Sequence, residues 1–323
     1  MVIFMETSME IVITDGFTLN PGDLSWKIFE AYGNLHYFPR TLPNKIIERC
    51  LYAHVIITNK TIINAAAIEA ADQLKLILVT ATGYNNVDMA AAKKRGITVC
   101  NVPIYGTYSV AQHAFALLLQ LSNNVGINAA SVAKGQWQKA TDWCYSLQPV
   151  IELKDKTLGI VGLGKIGRQM AIIAQAFGMK VIYNRGKETL ADAVSVSQHQ
   201  LFMQSDFISL HCPLTIDNNA FVNKELLGLA KPTAFLINTS RGGLINEKDL
   251  SQMLQQNKIA GAALDVLTTE PPDKNNPLIG LPNCIITPHN AWISAEARGR
   301  IMETTLQNLQ AFINGVPQNV VNN

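Results

Sequence analysis

Charge is scarce in this sequence. Only 15% of its 323 residues are charged, and Lys+Arg 26 against Asp+Glu 24 leaves a formal net charge of +2. No run or cluster of one sign supplies the basic face that nucleic acid requires or the basic amphipathic helix that a membrane surface requires, so neither partner is expected. Long hydrophobic runs are missing too. The longest apolar stretch, residues 114–121, falls far short of a bilayer span, and the opening MVIFMETSME has neither a basic n-region nor a long h-region. Cysteine is sparse: Cys50, Cys100, Cys144, Cys212 and Cys284 are odd in number, widely spaced and without a CxxC pair. That pattern argues against a disulfide framework or a zinc ribbon; no metal site is expected, and a reducing cytoplasm fits best. What is abundant is apolar: 48% hydrophobic residues suffice for large buried cores and exclude general disorder.

Short apolar runs at residues 10–14, 54–58, 75–80 and 97–100 alternate with helix-length stretches. A second series follows Pro149, with strand-like runs at 157–161, 181–184, 207–211, 234–238, 260–265 and 284–287. Such alternation predicts parallel α/β sheets in two domains. Between the two series, residues 109–121 read as a long buried helix and residues 123–135 as another. Residues 110–121 make a candidate subunit interface, and a homodimer is expected. The last helical pattern, 294–314, stops at Gly315 and Pro317. Residues 1–8, ahead of Met9 and the first strand, read as an extension.

After the strand-like TLGIV comes Gly162-Leu163-Gly164-Lys165-Ile166-Gly167, and a helical pattern follows at once. In that setting GxGxxG is a dinucleotide fingerprint. Gly162 permits a tight turn, Gly164 lets the backbone approach a pyrophosphate, and Gly167 lets the helix close on the strand. At the end of the next strand the acid that would bind the adenosine ribose is absent, and Asn184-Arg185 stands there. A carboxylate would repel a 2′-phosphate, whereas Asn184 does not. Arg185 and Lys187 can pair with that phosphate, so NADP(H) should be tolerated alongside NAD(H).

Three polar residues follow strand-like runs in the same half of the chain: Arg241 in NTSRGG, Glu270 in LDVLTTEPP and His289 in TPHNAW. Singly each has a structural explanation; beside a dinucleotide site they supply what hydride transfer to a carbonyl needs. Charge develops on the carbonyl oxygen, so His289 suits the proton and Arg241 the charge. Glu270, if it meets the imidazole, would orient it and favour its protonated form. Arg241 can also hold a substrate carboxylate.

The ordered segments GLGKIG, HCPLT, INTSRGGLINEKDL, ALDVLTTEPP and TPHNAW, with ATGYNNVD at 81–88 and NVPIYGTYSVAQHAFALLL at 101–119, resemble the D-isomer-specific 2-hydroxyacid dehydrogenase family over nearly the whole chain. Within it, TDGFTLNPGDLSW, TNKT and ATGYN are most similar to glycerate dehydrogenases, also called hydroxypyruvate reductases. The resemblance implies a flavodoxin-like substrate domain, residues 1–108 with 294–323, and an inserted Rossmann cofactor domain, residues 109–293, both doubly wound. It makes Arg241, Glu270 and His289 the catalytic triad and gives the substrate carboxylate to the backbone amides of Thr82 and Gly83. To the cofactor it assigns Lys165, Ile166, Asn184, Cys212, Pro213, Thr239 and Asp265, the last near the nicotinamide carboxamide. The implied activity is NAD(P)H-dependent reduction of hydroxypyruvate or glyoxylate to D-glycerate or glycolate. Asn184, Gln112 and Asn290 depart from the usual family pattern, and Asn184 bears on cofactor choice. A 3-phosphoglycerate dehydrogenase-like enzyme, or a nucleotide-sensing binding protein on the same fold, is the alternative.

Overall fold

Aliphatic and β-branched runs buried on both faces build the strands, as parallel sheets covered by helices require. The computed structural model describes residues 8–186 and 189–322. Residues 1–7 of the expected extension, and Lys187, lie outside the described residues. The chain forms two compact units, Met1–Tyr105 with Ile293–Asn323, and Gly106–Trp292.

In the first unit β1 (Glu10–Ile13), β2 (Asn34–Tyr37), β3 (Val55–Thr58), β4 (Leu76–Val79) and β5 (Thr98–Cys100) form one sheet in the order β2-β1-β3-β4-β5. All four pairings are parallel. This is the flavodoxin order. The central strands β3 and β4 are wholly buried, whereas the edge strand β2 is largely exposed. The chain's end returns to this unit through the helix Ala295–Ile313, capped by Ser294, whose hydroxyl accepts from the Ala297 amide at 3.2 Å. Arg298 on that helix forks onto Asp23 with two hydrogen bonds of 2.6 Å and holds that carboxyl below its ordinary range. Asn308 Nδ2 donates to the Asn101 carbonyl at 2.9 Å.

The second unit carries β6 (Thr157–Leu163), β7 (Lys180–Gly186), β8 (Ala193–Ser195), β9 (Phe207–Leu210), β10 (Phe235–Asn238), β11 (Gly261–Leu264) and β12 (Cys284–Ile286). Their order is β12-β11-β10-β9-β6-β7-β8, again all parallel. Strand order reverses at the β6–β9 junction, the switch point where doubly wound sheets bind ligands. One face of this sheet packs on Phe202, Val222, Leu250 and Leu254 and the other on Leu118, Met170, Ala171 and Ala174. Leu118 comes from the connector helix Thr107–Asn123, whose buried stripe also holds Ala111 and Ala114. Asn124, at φ 54°, ends that helix in the left-handed region, and a second helix, Val125–Ala133, follows. The edge strands β2 and β8 were not expected: NLHY and AVS are largely exposed and too short to register as apolar runs. Among the described residues no helix is long and apolar enough to cross a membrane. Among them, too, no group of His, Cys, Asp and Glu could hold a metal ion.

Candidate active site and cofactor cradle

The glycine motif closes β6 and opens the helix Lys165–Ala176, and its three glycines do different work. Gly162 has φ +100°, and a Cβ there would stand 2.7 Å from the Cys212 amide nitrogen. At Gly167 a Cβ would lie 2.3 Å from the Gly162 carbonyl oxygen, so only glycine lets the helix sit this close to the strand. Gly164 differs. A Cβ there meets nothing within 4 Å, so the chain's own packing does not demand glycine. Gly164 is also the N-cap and has no capping side chain. The helix's first amides, at Lys165 and Ile166, therefore have no side-chain cap, and the space beside Gly164 is open, the arrangement that seats a phosphate.

Farther along the same end of the sheet are buried polar atoms without partners. Asn184 closes the buried part of β7; its Nδ2 donates to the Val196 carbonyl at 2.9 Å, while its Oδ1 is buried and unpartnered. Thr239, just past β10, likewise has a buried, unpartnered hydroxyl. An unmet buried acceptor is costly, and both stand at carboxyl ends of strands where a dinucleotide would supply ribose and amide groups. Arg185 is exposed, at φ 60°, and its charge acts on the Cys212 thiol. These features fit a nicotinamide dinucleotide: the amides for its pyrophosphate, Asn184 for a ribose hydroxyl and Thr239 for the remaining polar edge.

Cys212 is buried, and burial pushes its thiol up; Cys50, Cys100 and Cys284 are pushed up to about 12 for the same reason. None of these thiols is a nucleophile at neutral pH. The Cys212 carbonyl accepts from the Ser240 hydroxyl at 2.6 Å, and that of Pro213 from Asn218 Nδ2 at 2.8 Å. Beside them His211 is pushed down to about 4 by burial and shares a 2.8 Å hydrogen bond with the Ser209 hydroxyl.

The three residues expected as the catalytic triad, Arg241, Glu270 and His289, are all in this unit. Arg241 follows β10 and is exposed; its Nη1 donates to the Ser240 carbonyl at 2.7 Å, and Asn238 Nδ2 donates to the Arg241 carbonyl at 2.9 Å. The next residue must be glycine, because a Cβ at Gly242 would overlap the Leu267 backbone at 1.9 Å. That close approach packs the Arg241 turn against the start of the loop carrying Glu270. Glu270 Oε1 accepts from the Leu267 amide at 3.0 Å, which fixes the carboxylate, and Oε2 meets His289 Nδ1 at 2.6 Å. Both side chains are about one-third exposed, 33% for His289 and 36% for Glu270. With Nδ1 engaged, Nε2 is the ring nitrogen left for a substrate.

Asp265, expected near the nicotinamide carboxamide, is joined here to the loop that carries His289. It is 1% exposed, and its Oδ1 accepts from the Thr287 hydroxyl at 2.6 Å and the Asn290 amide at 3.0 Å. Its Oδ2 accepts from the Ala291 amide at 2.9 Å. The carboxylate thus serves the loop that carries His289. His113 of the connector helix joins the same cluster, with Nε2 3.1 Å from Thr287 Oγ1. Sequence alone does not single out His113, Ser109 and Thr287: Ser109 and His113 stand four apart on one helix face, but Thr107, Gln112 and Gln120 are polar in the same helix.

In the first unit Thr82 follows β4. Its hydroxyl donates to the Val102 carbonyl at 2.9 Å, and Asn101 Nδ2 donates to its carbonyl at 2.8 Å. Gly83, next to it, is exposed.

A flavodoxin-ordered unit, a seven-stranded dinucleotide-type sheet and a paired Glu–His beside an exposed Arg define an oxidoreductase of the nicotinamide class. Residues 115–291 match the family model described as D-isomer specific 2-hydroxyacid dehydrogenase, NAD binding domain. The hydroxypyruvate reductase of Blautia hydrogenotrophica is 44% identical over 321 residues, 97% of this chain and 100% of the relative. The glycerate dehydrogenase of Methylorubrum extorquens is 40% identical over 281 residues, 86% and 88% of the two chains. Among solved structures, an acyclic imino acid reductase in complex with NADPH and D-Arg is 36% identical, with a TM-score of 0.83 over 97% of this chain and 100% of that one. The chain belongs to the D-isomer-specific 2-hydroxyacid dehydrogenase family and is an oxidoreductase.

Proposed function

We propose that the protein reduces a short 2-oxo acid, hydroxypyruvate or glyoxylate, to D-glycerate or glycolate, with either NADH or NADPH. The observation that carries this reading is the 2.6 Å pair of Glu270 Oε2 and His289 Nδ1 in the unit that also holds the glycine cradle. When bound, the dihydronicotinamide supplies a hydride to the carbonyl carbon. His289, held by Glu270 through Nδ1, presents Nε2–H and delivers a proton to the carbonyl oxygen. Arg241 offsets the negative charge that develops there and pairs with the substrate carboxylate, as a planar fork suits. In the first unit, the backbone amides of Thr82 and Gly83 are the further candidates for holding a substrate carboxylate. The names of the two curated relatives support this substrate class.

For the cofactor, the unpartnered Asn184 Oδ1 accepts from a ribose hydroxyl, and Arg185 pairs with a 2′-phosphate when one is present. The NADPH bound to the similar imino acid reductase supports acceptance of the phosphorylated form. A cytoplasmic homodimer fits the free thiols; most of the stretch 110–121 expected to form its interface is buried within the second unit, and the apolar residues left exposed for it are on the second connector helix and just after it, Val125, Ile127, Trp137 and Trp143. Light scattering that returns the monomer mass of 35.4 kDa at micromolar concentration would contradict the dimer.

The central experiment is a panel of 2-oxo acids assayed with NADH and with NADPH, on the parent protein and on His289→Ala and Arg241→Ala. Loss of turnover in both variants with cofactor binding retained is expected. Turnover near the parent's in either variant overturns the assignment of roles.

A further inference from the structure

His289 stands at φ 51°, in the left-handed region that a residue with a side chain adopts only when its surroundings impose it. What imposes it is visible on both sides of the residue. Its amide donates to the Asp265 carbonyl at 2.9 Å and to the Thr287 carbonyl at 3.0 Å, and Asp265 takes the amides of Asn290 and Ala291. Those bonds hold the loop to β11. A second set holds it to a different element. Ser109 Oγ donates to the Ala291 carbonyl at 2.7 Å, and His113 Nε2 lies 3.1 Å from Thr287 Oγ1. Ser109 and His113 are four residues apart on the connector helix Thr107–Asn123, hence one above the other on one face. They grip the loop at residues 291 and 287, two residues to either side of His289.

The proton inventory fixes the direction of the His113 contact. Asp265 Oδ1 accepts the Thr287 hydroxyl proton at 2.6 Å, so Thr287 Oγ1 is left as an acceptor and His113 must donate from Nε2. The same nitrogen lies 3.5 Å from Asp265 Oδ1, so the donor faces the buried carboxylate as well. The opposite stripe of this helix, Ala111, Ala114 and Leu118, is buried in the core and leaves the helix little freedom to shift. The helix is therefore a rigid splint for the loop.

We infer that Ser109 and His113 are positioning residues for His289, aiming its Nε2 at the substrate oxygen through a loop they touch only at its ends. The inference rests on the proposed role of His289 as proton donor. In the full-length protein, His113→Ala should lower kcat roughly tenfold or more, the scale at which a small misplacement of a reacting group acts. KM for the 2-oxo acid and the dissociation constant of NADH, measured by fluorescence titration, should stay within twofold. His113→Gln, whose amide can donate to Thr287 from nearly the same place, should restore most of the rate. Ser109→Ala should give a smaller loss of the same kind and provides the test if His113→Ala does not fold. Parent-like kcat in the soluble His113→Ala and Ser109→Ala variants overturns the inference, as does a loss that His113→Gln leaves in place. His289→Ala with full activity would instead sink the proton-donor reading itself, a result separable from either.

Discussion

Replacing Gly164 by Ala separates the needs of the fold from those of a ligand. Gly164 sits at φ −95° and ψ −165°, backbone that any residue adopts, and an added Cβ has nothing within 4 Å. A gain of about 0.4–1 kcal/mol from a less flexible unfolded chain is set against the similar loss from a poorer helix cap, so stability should barely change. The same methyl group would occupy the space through which a pyrophosphate reaches the amides of Lys165 and Ile166. Gly167→Ala is the opposite case. Its Cβ would lie 2.3 Å from a backbone carbonyl oxygen and 3.1 Å from Ile160 Cγ2, and relief requires prising the helix off β6. Overpacking of that kind costs about 1–3 kcal/mol, at about 2–4 °C per kcal/mol for a unit of this size. Gly164→Ala should therefore melt within about 2 °C of the parent while its Kd for NADH rises at least tenfold, about 1.4 kcal/mol. Gly167→Ala should melt several degrees lower. Circular dichroism and fluorescence titration read the two quantities independently, and a Gly164→Ala protein that binds NADH as tightly as the parent refutes the phosphate cradle.

Arg185→Ala should weaken NADPH binding by roughly 1–3 kcal/mol, the scale of a charge-assisted hydrogen bond, and NADH binding much less, while Asn184→Asp should move preference towards NADH. Equal loss of both cofactors in Arg185→Ala would make that side chain an ordinary solvated turn residue. His211 adds a pH dependence. Its folded value of about 4 lies below the ordinary 6.5, so the unfolded chain binds the extra proton and stability falls as pH drops through that window. Because the residue keeps some exposed surface, the loss between pH 7 and 4 should be about 1–3 kcal/mol. Urea titrations of parent and His211→Gln would show it as a pH-dependent difference, and parallel pH profiles would refute it.

Most of the architecture is legible because a parallel sheet writes itself as apolar runs. VIIT in β3 and LILV in β4 are buried on both faces and read as strands without help from their neighbours. NLHY in β2 and AVS in β8 are not legible that way. They are edge strands, held by pairing on one side only, and their exposed residues follow no apolar pattern. The site divides along a similar line. Arg241, Glu270 and His289 are readable because each stands in a motif at a strand end, and Gly242 in SRGG packs the Arg241 turn against the Leu267 backbone. The hold of Asp265 on the His289 loop is not readable, since only the fold brings the Thr287 hydroxyl and the amides of Asn290 and Ala291 onto one buried carboxylate.

The cofactor question shows how one illegible element governs a legible residue. The sequence establishes that Asn184 replaces an acid, and hence that repulsion of a 2′-phosphate is gone. It says nothing of which end of the amide faces a ligand, because an amide offers a donor on one atom and an acceptor on the other. That choice is made by Val196, whose carbonyl takes Nδ2 at 2.9 Å and so turns Oδ1 the other way. Val196 is itself set by the end of β8, where its amide donates to the Tyr183 carbonyl at 2.9 Å. The short edge strand β8 thus decides that Asn184 presents an acceptor. An acceptor welcomes a ribose hydroxyl and gives nothing to a phosphate, so affinity for the phosphorylated cofactor calls for a cation such as Arg185 rather than the substitution that first suggested it.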